Sequence, residues 1–133
     1  MNYTYPVQTV SFEKALPVWA WGREHEMNLW LSFRTVAKKA EKTTLRLTGS
    51  SAYDVKVNGE FIAFGPARAA HNFYRVDELD LSASIRDDAV ITITVAGYNC
   101  NSFYHIDQPA FLCAELIADG EITAATGRSG FIC

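Results

Sequence analysis

The sequence predicts an all-β fold, an antiparallel β-sandwich of jelly-roll type, on three observations. Polar and apolar residues alternate over short runs, as in NLWLSFRT from Asn28, TTLRLT from Thr43 and AVITITVA from Ala89, which is the period of two expected of a strand with one core face. Turn-forming pairs punctuate these runs, most clearly Asn58-Gly59 and Asp119-Gly120, and such pairs favour type I′ hairpins because both central residues need φ > 0. Helical periodicity is nearly absent. About seven or eight short strands separated by Gly, Asn and Asp turns describe a sandwich. A small barrel is the alternative, although an OB-like barrel calls for a basic or aromatic binding face.

Taken in order, residues 1–18 are Tyr-rich and irregular. Phe12 to Leu16 is expected to form a turn of helix that Pro17 ends. Trp19-Ala20-Trp21 follows. On an extended backbone its two indoles face the same way, either as a platform for a sugar ring or as packing against a sheet or a neighbouring domain. In the next strand Leu29, Leu31 and Phe33 share one face with Thr35, while Trp30, Ser32 and Arg34 share the other. The Lys38 to Lys42 stretch reads as a charged, solvated connection. Leu45 and Leu47 point inward from the strand after it, and Gly49-Ser50-Ser51 ends that strand.

The hairpin YDVKVNGEFIAFG, Tyr53 to Gly65, is the clearest local signal. A two-residue loop places Val57 opposite Glu60, Val55 opposite Ile62 and Tyr53 opposite Phe64. Tyr53, Val55, Val57, Ile62 and Phe64 then share the core face, with Phe61 on the other side. Gly65-Pro66 stops the strand. The stretch from Ala67 to Asp88 reads as one long connection, with a short helical turn at Asp80 to Ile85 capped by Ser82. Loops of that length often bind or dock. Ala89 to Ala96 is expected to be a central strand covered on both faces. Phe111 to Ala118 suits a helix or a strand by pattern, and is read as a strand because Pro109 precedes it and Asp119-Gly120 offers a hairpin turn into Glu121 to Thr126. The closing GFIC looks like the entry to a further strand, as in an N-terminal fragment of a longer multidomain protein.

With 133 residues, 49% of them apolar and 13% aromatic, the chain fits a single domain, residues 1–133, with a sizeable core. The net charge of −3, from 12 basic and 15 acidic residues, gives no reason to expect a nucleic-acid partner. No run of eighteen apolar residues suggests a membrane span. No signal peptide is visible; a parent protein that carries one would be periplasmic or extracellular, and otherwise cytoplasmic. Three cysteines, Cys100, Cys113 and Cys133, cannot all pair within the chain, and their spacing fits no zinc pattern.

No constellation of residues points to catalysis, a metal or a cofactor. Asp77, Glu78 and Asp80, and separately Asp87 and Asp88, cluster in charged turn-like segments, where solvated carboxylates are the default; glycoside hydrolysis needs two held across a substrate. His25, His71 and His105 match no metal motif, and Cys100 with His105 has only proximity in sequence behind it. The residues singled out for neutral sugar or interdomain contact are Trp19, Trp21, Arg68, His71, Tyr74, Arg75, Tyr98 and Asn99. Arg68, His71, Tyr74, Arg75 and Asn99, together with Asn101, are expected at one end of the sandwich, either donating hydrogen bonds to sugar hydroxyls, anchoring the long loops internally or contacting a partner domain. Arg68 leads this set because a guanidinium presents five donors in a fixed fork.

The indole segment around Ala20 to Gly22, NLWLSFR, YDVKVNGEFIAFGPAR, FYRVDELDLS and VAGYNCNSF together resemble the N-terminal β-sandwich region of bacterial α-L-rhamnosidase-like glycoside hydrolases, over nearly the whole chain. The YxxxVNGxxxxxGP pattern is also shared by other sandwich modules attached to glycosidases. The resemblance implies a noncatalytic accessory or structural domain supporting a catalytic domain downstream in the same polypeptide. In that family the catalytic carboxylates lie in a separate α-helical toroid, so no catalytic residue transfers to this chain. A freestanding galactose-binding-like module, contacting neutral oligosaccharide or polysaccharide through aromatic and loop polar residues, is the alternative.

Overall fold

The computed structural model describes residues 9–70, 73–103, 105 and 107–133. Among them are eight strands and no helix: β1 Asn28–Ala37, β2 Thr43–Gly49, β3 Ala52–Val57, β4 Glu60–Gly65, β5 Asp77–Asp80, β6 Ala89–Tyr98, β7 Leu112–Ala118 and β8 Glu121–Ala125. They form two antiparallel four-stranded sheets, ordered β1-β6-β3-β4 and β5-β2-β7-β8. The domain is a β-sandwich. Only β3–β4 and β7–β8 are hairpins; each of the other connections carries the chain from one sheet to the other.

The inward positions of both sheets meet in one core. Phe33, Val55, Ile91, Ile93 and Val95 from the first sheet pack on Leu45, Leu47, Leu112 and Leu116 from the second. Each such side chain contributes about 1.5–3 kcal/mol on burial. The alternation expected in β1 holds: Phe33 and Thr35 are buried, Leu29 and Leu31 half-buried, and Trp30, Ser32 and Arg34 exposed. β6 is central, paired with β1 and β3. Its second face is not covered, however, since Val90 and Tyr98 are exposed and Thr92, Thr94 and Ala96 half-buried.

Three local expectations give way to the structure. The β3–β4 hairpin turns at Asn58 (φ 49°) and Gly59 (φ 83°) as the sequence suggests, and Val57 pairs with Glu60 and Lys56 with Phe61. A bulge then admits one extra residue on β4, so Val55 faces Ala63 and Tyr53 faces Gly65. Ile62 stays against the core, but Phe64 is turned to the outer face, 80% exposed, beside Phe61 at 6.5 Å between ring centroids. The long connection after Gly65 is interrupted by β5, whose Leu45↔Leu79 and Leu47↔Asp77 pairings extend the second sheet. The turn beyond β5 is capped by Asp80, whose Oδ1 accepts from the Ser82 amide (3.0 Å) and hydroxyl (2.5 Å). Ser82 Oγ instead accepts from the Thr43 amide at 3.0 Å.

No helical turn forms at Phe12 to Leu16. That segment is an extended arm across the outside of the second sheet. Leu16 N–H donates to Thr126 O (2.9 Å), and Val18 exchanges both backbone bonds with Leu112. Its anchor is Glu115, fully buried on the outward side of β7. Glu115 Oε1 accepts from the backbone amides of Lys14 (2.5 Å) and Ala15 (2.8 Å), and Oε2 lies 3.3 Å from Arg46 Nη1. Arg46 also holds Glu78 at 2.9 Å and donates to Ser11 O. The closing segment leaves β8 beside this arm, and its Ile132 bridges Arg34 on the edge of β1.

Candidate functional site

Strand direction gathers the long loops at one end. β1, β3, β5 and β7 begin there and β2, β4, β6 and β8 finish there. The described residues of 19–27, 50–51, 66–70, 73–76, 99–103 and 107–111 therefore emerge together. Arg68, Tyr74, Arg75, Asn99 and Asn101 lie at this end, and Trp19, Trp21 and Tyr98 join them. His71 lies outside the described residues.

Several of these residues hold the loops to one another. Asn99 Nδ2 donates to Glu24 O (2.8 Å) and Glu26 O (3.2 Å), and its backbone N–H donates to Met27 O (2.9 Å). Its amide donors are thus engaged in fixing the 19–27 loop. Tyr74 donates its hydroxyl to Gln108 Oε1 at 2.7 Å and sets its ring edge-on to Phe111 at 5.1 Å. Arg75 contributes its carbonyl, which accepts from Thr48 Oγ1 at 2.8 Å, and its side chain is exposed. Arg68 is exposed on the 66–76 loop. Tyr98 meets His105 at 4.8 Å between ring centroids. A hydrogen bond with the Cys100 thiol pushes its phenol above the usual value. Cys100 and His105 are thus both turned to Tyr98.

The two indoles do not form a platform. The backbone bends at Ala20 and turns through Trp21-Gly22, where Gly22 takes φ 72°. Trp19 therefore points into the fold, tilted against Phe33 at 6.1 Å, with its Nε1 shielded and without a hydrogen-bond partner among the described residues. Trp21 points out and is 96% exposed. The period-two argument fails here because the segment is a turn.

The acidic residues of the 77–80 segment are divided by the alternation of β5. Asp77 accepts a hydrogen bond from the Tyr53 hydroxyl through Oδ2. Glu78 pairs with Arg46 on the outer face, and Asp80 caps the following turn. Each has a structural partner, and they do not face each other across a cleft. Among the described residues no three His, Cys, Asp or Glu side chains come together as a metal would require. Gly65 is required beside Asp77, since a Cβ there would overlap both Asp77 Oδ2 and the Tyr53 hydroxyl.

Two protonated groups here make stability depend on alkaline pH. Burial, reinforced by the hydrogen bond to Asp77 and its charge, pushes the Tyr53 phenol well above its usual value of 10.0. Burial and then the Glu115 charge push the Cys113 thiol up from 9.0 to about 11, partly offset by a hydrogen bond with Thr126. A raised folded pKa contributes stability that is complete below the unfolded value and is lost as pH climbs toward the folded one. The urea midpoint is therefore expected to stay level from about pH 7 to 9 and then fall. Cys113→Ala should remove the part of the fall between about pH 9 and 11, and Tyr53→Phe the part above about pH 10. A wild-type midpoint that is level up to about pH 11 would contradict both assignments.

No family model matches the sequence, and no curated protein matches it. Solved structures do. The chain aligns with the GH78 family rhamnosidase of Bacillus sp. GL1 at a TM-score of 0.77 and 28% identity, over 88% of this chain and 13% of that one. The likeness is to a domain of GH78 α-L-rhamnosidases. The α-L-rhamnosidase of Dictyoglumus thermophilum aligns at a TM-score of 0.57 and 19% identity, over 75% of this chain and 12% of that chain. The α-L-rhamnosidase of Aspergillus terreus aligns at 0.53 and 15%, over 77% and 14%. These two show the fold. The chain thus spans only a small part of each rhamnosidase that it resembles.

Sequence reasoning missed Glu115 and the outward turn of Phe64; it put Trp30 and Phe61 on the outer face without giving them a role. Glu115 had one signal, a lone acid inside the apolar run FLCAELIA. Nothing in the sequence tells such an acid from a solvated outward position until the arm is seen to cover it.

Proposed function

We propose that this chain is a noncatalytic accessory domain of an α-L-rhamnosidase-like glycoside hydrolase, supporting a catalytic domain in the same polypeptide. The observation that carries the reading is the likeness to the Bacillus enzyme over 88% of this chain and 13% of that one. The geometry agrees, because the carboxylates of the 77–80 segment are spent on Tyr53, Arg46 and a turn cap. Residues 1–133 alone should leave an aryl α-L-rhamnoside intact, whereas the natural polypeptide that carries them should hydrolyse it. Deleting residues 1–133 from that polypeptide should lower its thermal midpoint. Turnover by the 133 residues alone, or none by the whole polypeptide, would overturn the proposal.

The alternative, a carbohydrate-binding module, has one observation in its favour: Trp21 offers an open indole face at the loop end, and sugar C–H faces stack on such rings. Calorimetric titration with neutral oligosaccharides decides it, with heat that disappears in Trp21→Ala as the supporting result and a flat trace as the opposing one.

A further inference from the structure

The two outer faces of the sandwich are treated differently. The face of β5-β2-β7-β8 is covered by the chain itself: the 9–18 arm crosses it, and Thr48, Cys113, Glu115 and Thr126 are buried there. The face of β1-β6-β3-β4 has no such arm among the described residues. Its register aligns Trp30 with Ala96, Asp54 with Thr94 and Phe64, Lys56 with Thr92 and Phe61, and Val36 with Val90. Trp30 (62%), Phe61 (59%), Phe64 (80%), Val36 and Val90 are exposed, and the central charges are partly neutralised by the Asp54–Lys56 pair at 3.9 Å. Apolar side chains grouped on one face of a sheet mark an interaction surface, whereas scattered ones do not. The face also runs past the β1 edge into an open groove of about 440 Å³, lined by Arg34, Val36, Val90, Thr123 and Ile132.

We propose that this face is the docking surface for another folded domain of the same polypeptide, presenting an apolar patch of its own; this rests on the accessory-domain reading. The area favours a tethered occupant over a second copy. Four strands about 4.8 Å apart, each roughly 25 Å long, make a face of about 400–500 Å², or about 800–1,000 Å² counted over both partners. That lies within the range of roughly 600–1,500 Å² for domains of one chain, and below the roughly 1,600 Å² usual between separate chains. The rhamnosidases that it resembles supply the expectation of such a tether, since the matched region is 13% of the Bacillus chain. The loop end has exposed aromatics too, but Asn99 and Tyr74 lock its loops together from within.

Maleimide labelling of single introduced cysteines, read by peptide mapping, tests the surface. Phe64→Cys, Trp21→Cys at the loop end and Glu121→Cys at the opposite hairpin are each compared in residues 1–133 and in the natural polypeptide that carries them. All three sites are exposed, so the substitutions should leave folding within about 0.5 kcal/mol. The proposal expects Phe64→Cys to label about tenfold more slowly in the longer polypeptide, with Glu121→Cys unchanged. Slow labelling at Trp21→Cys with fast labelling at Phe64→Cys would overturn the surface and leave the accessory reading standing. Fast labelling at all three would remove both. Protection of Phe64→Cys in residues 1–133 that grows with concentration would assign the face to a second copy instead.

Discussion

Glu115→Ala is expected to lower the stability of the domain by about 3–5 kcal/mol, the range for removing one partner of a buried ion pair. Among the described residues Arg46 would keep only Glu78 as a carboxylate partner, and the amides of Lys14 and Ala15 would lose their acceptor at a part-buried site. Orphaned buried donors each cost about 1–3 kcal/mol, so the arm should detach rather than remain with them unpaired. Thermal unfolding should shift down by roughly 10–20 °C for a domain of this size. Amide exchange should rise first at Leu16 and Val18, whose bonds to Thr126 and Leu112 hold the arm in place. Glu115→Gln keeps the volume and one acceptor oxygen and should fall between wild type and alanine. A midpoint for Glu115→Ala within about 0.5 kcal/mol of wild type would show that the arm is held by other contacts.

That anchor also shows what the sequence reveals and what it conceals. The strands of the core are legible where burial on one face imposes a period of two, and β1, β2, β3 and β6 follow it closely enough to be found; β7, buried on both faces over most of its length, and β8 are legible instead from Pro109 and the Asp119-Gly120 turn that joins them. β5 is not, because DELD is four residues long and its inward positions are Asp77 and Leu79; an acid facing a tyrosine hydroxyl imitates a loop. The β4 bulge is hidden for a related reason. EFIAFG is apolar on both faces, so slipping it by one residue exchanges Phe64 for Gly65 opposite Tyr53 with no polar residue to oppose the change. Only the tertiary demand for a residue without a side chain beside Asp77 and Tyr53 decides the register. Chain order brings the loop-end residues to one end but leaves open whether they anchor the loops, meet a neighbouring domain or meet a ligand; Asn99 and Tyr74 have bonding capacity that suits all three until their internal partners are known.

Trp19→Ala and Trp21→Ala, two positions apart, are expected to diverge. Trp19 lies against Phe33 and over Gly97, where a Cβ would come within 2.5 Å of the indole and 2.8 Å of Leu29 O. Truncating it opens the loop end of the core, at a cost of about 3 kcal/mol given the 3–5 typical of Trp→Ala at full burial. Trp21, 96% exposed in a turn, should change stability by no more than about 0.5 kcal/mol. Gly97 supplies an internal check. Gly97→Ala should be destabilising by about 1–3 kcal/mol through overpacking, and by less when combined with Trp19→Ala, because one of its two clashes has gone. The cost should not vanish, since the Leu29 carbonyl is backbone and remains. Urea unfolding of the four proteins in the Trp19/Gly97 cycle gives the coupling directly. Strict additivity would mean that the indole does not rest on Gly97. Equal losses for Trp19→Ala and Trp21→Ala would restore the paired-indole reading that the bend at Ala20 argues against.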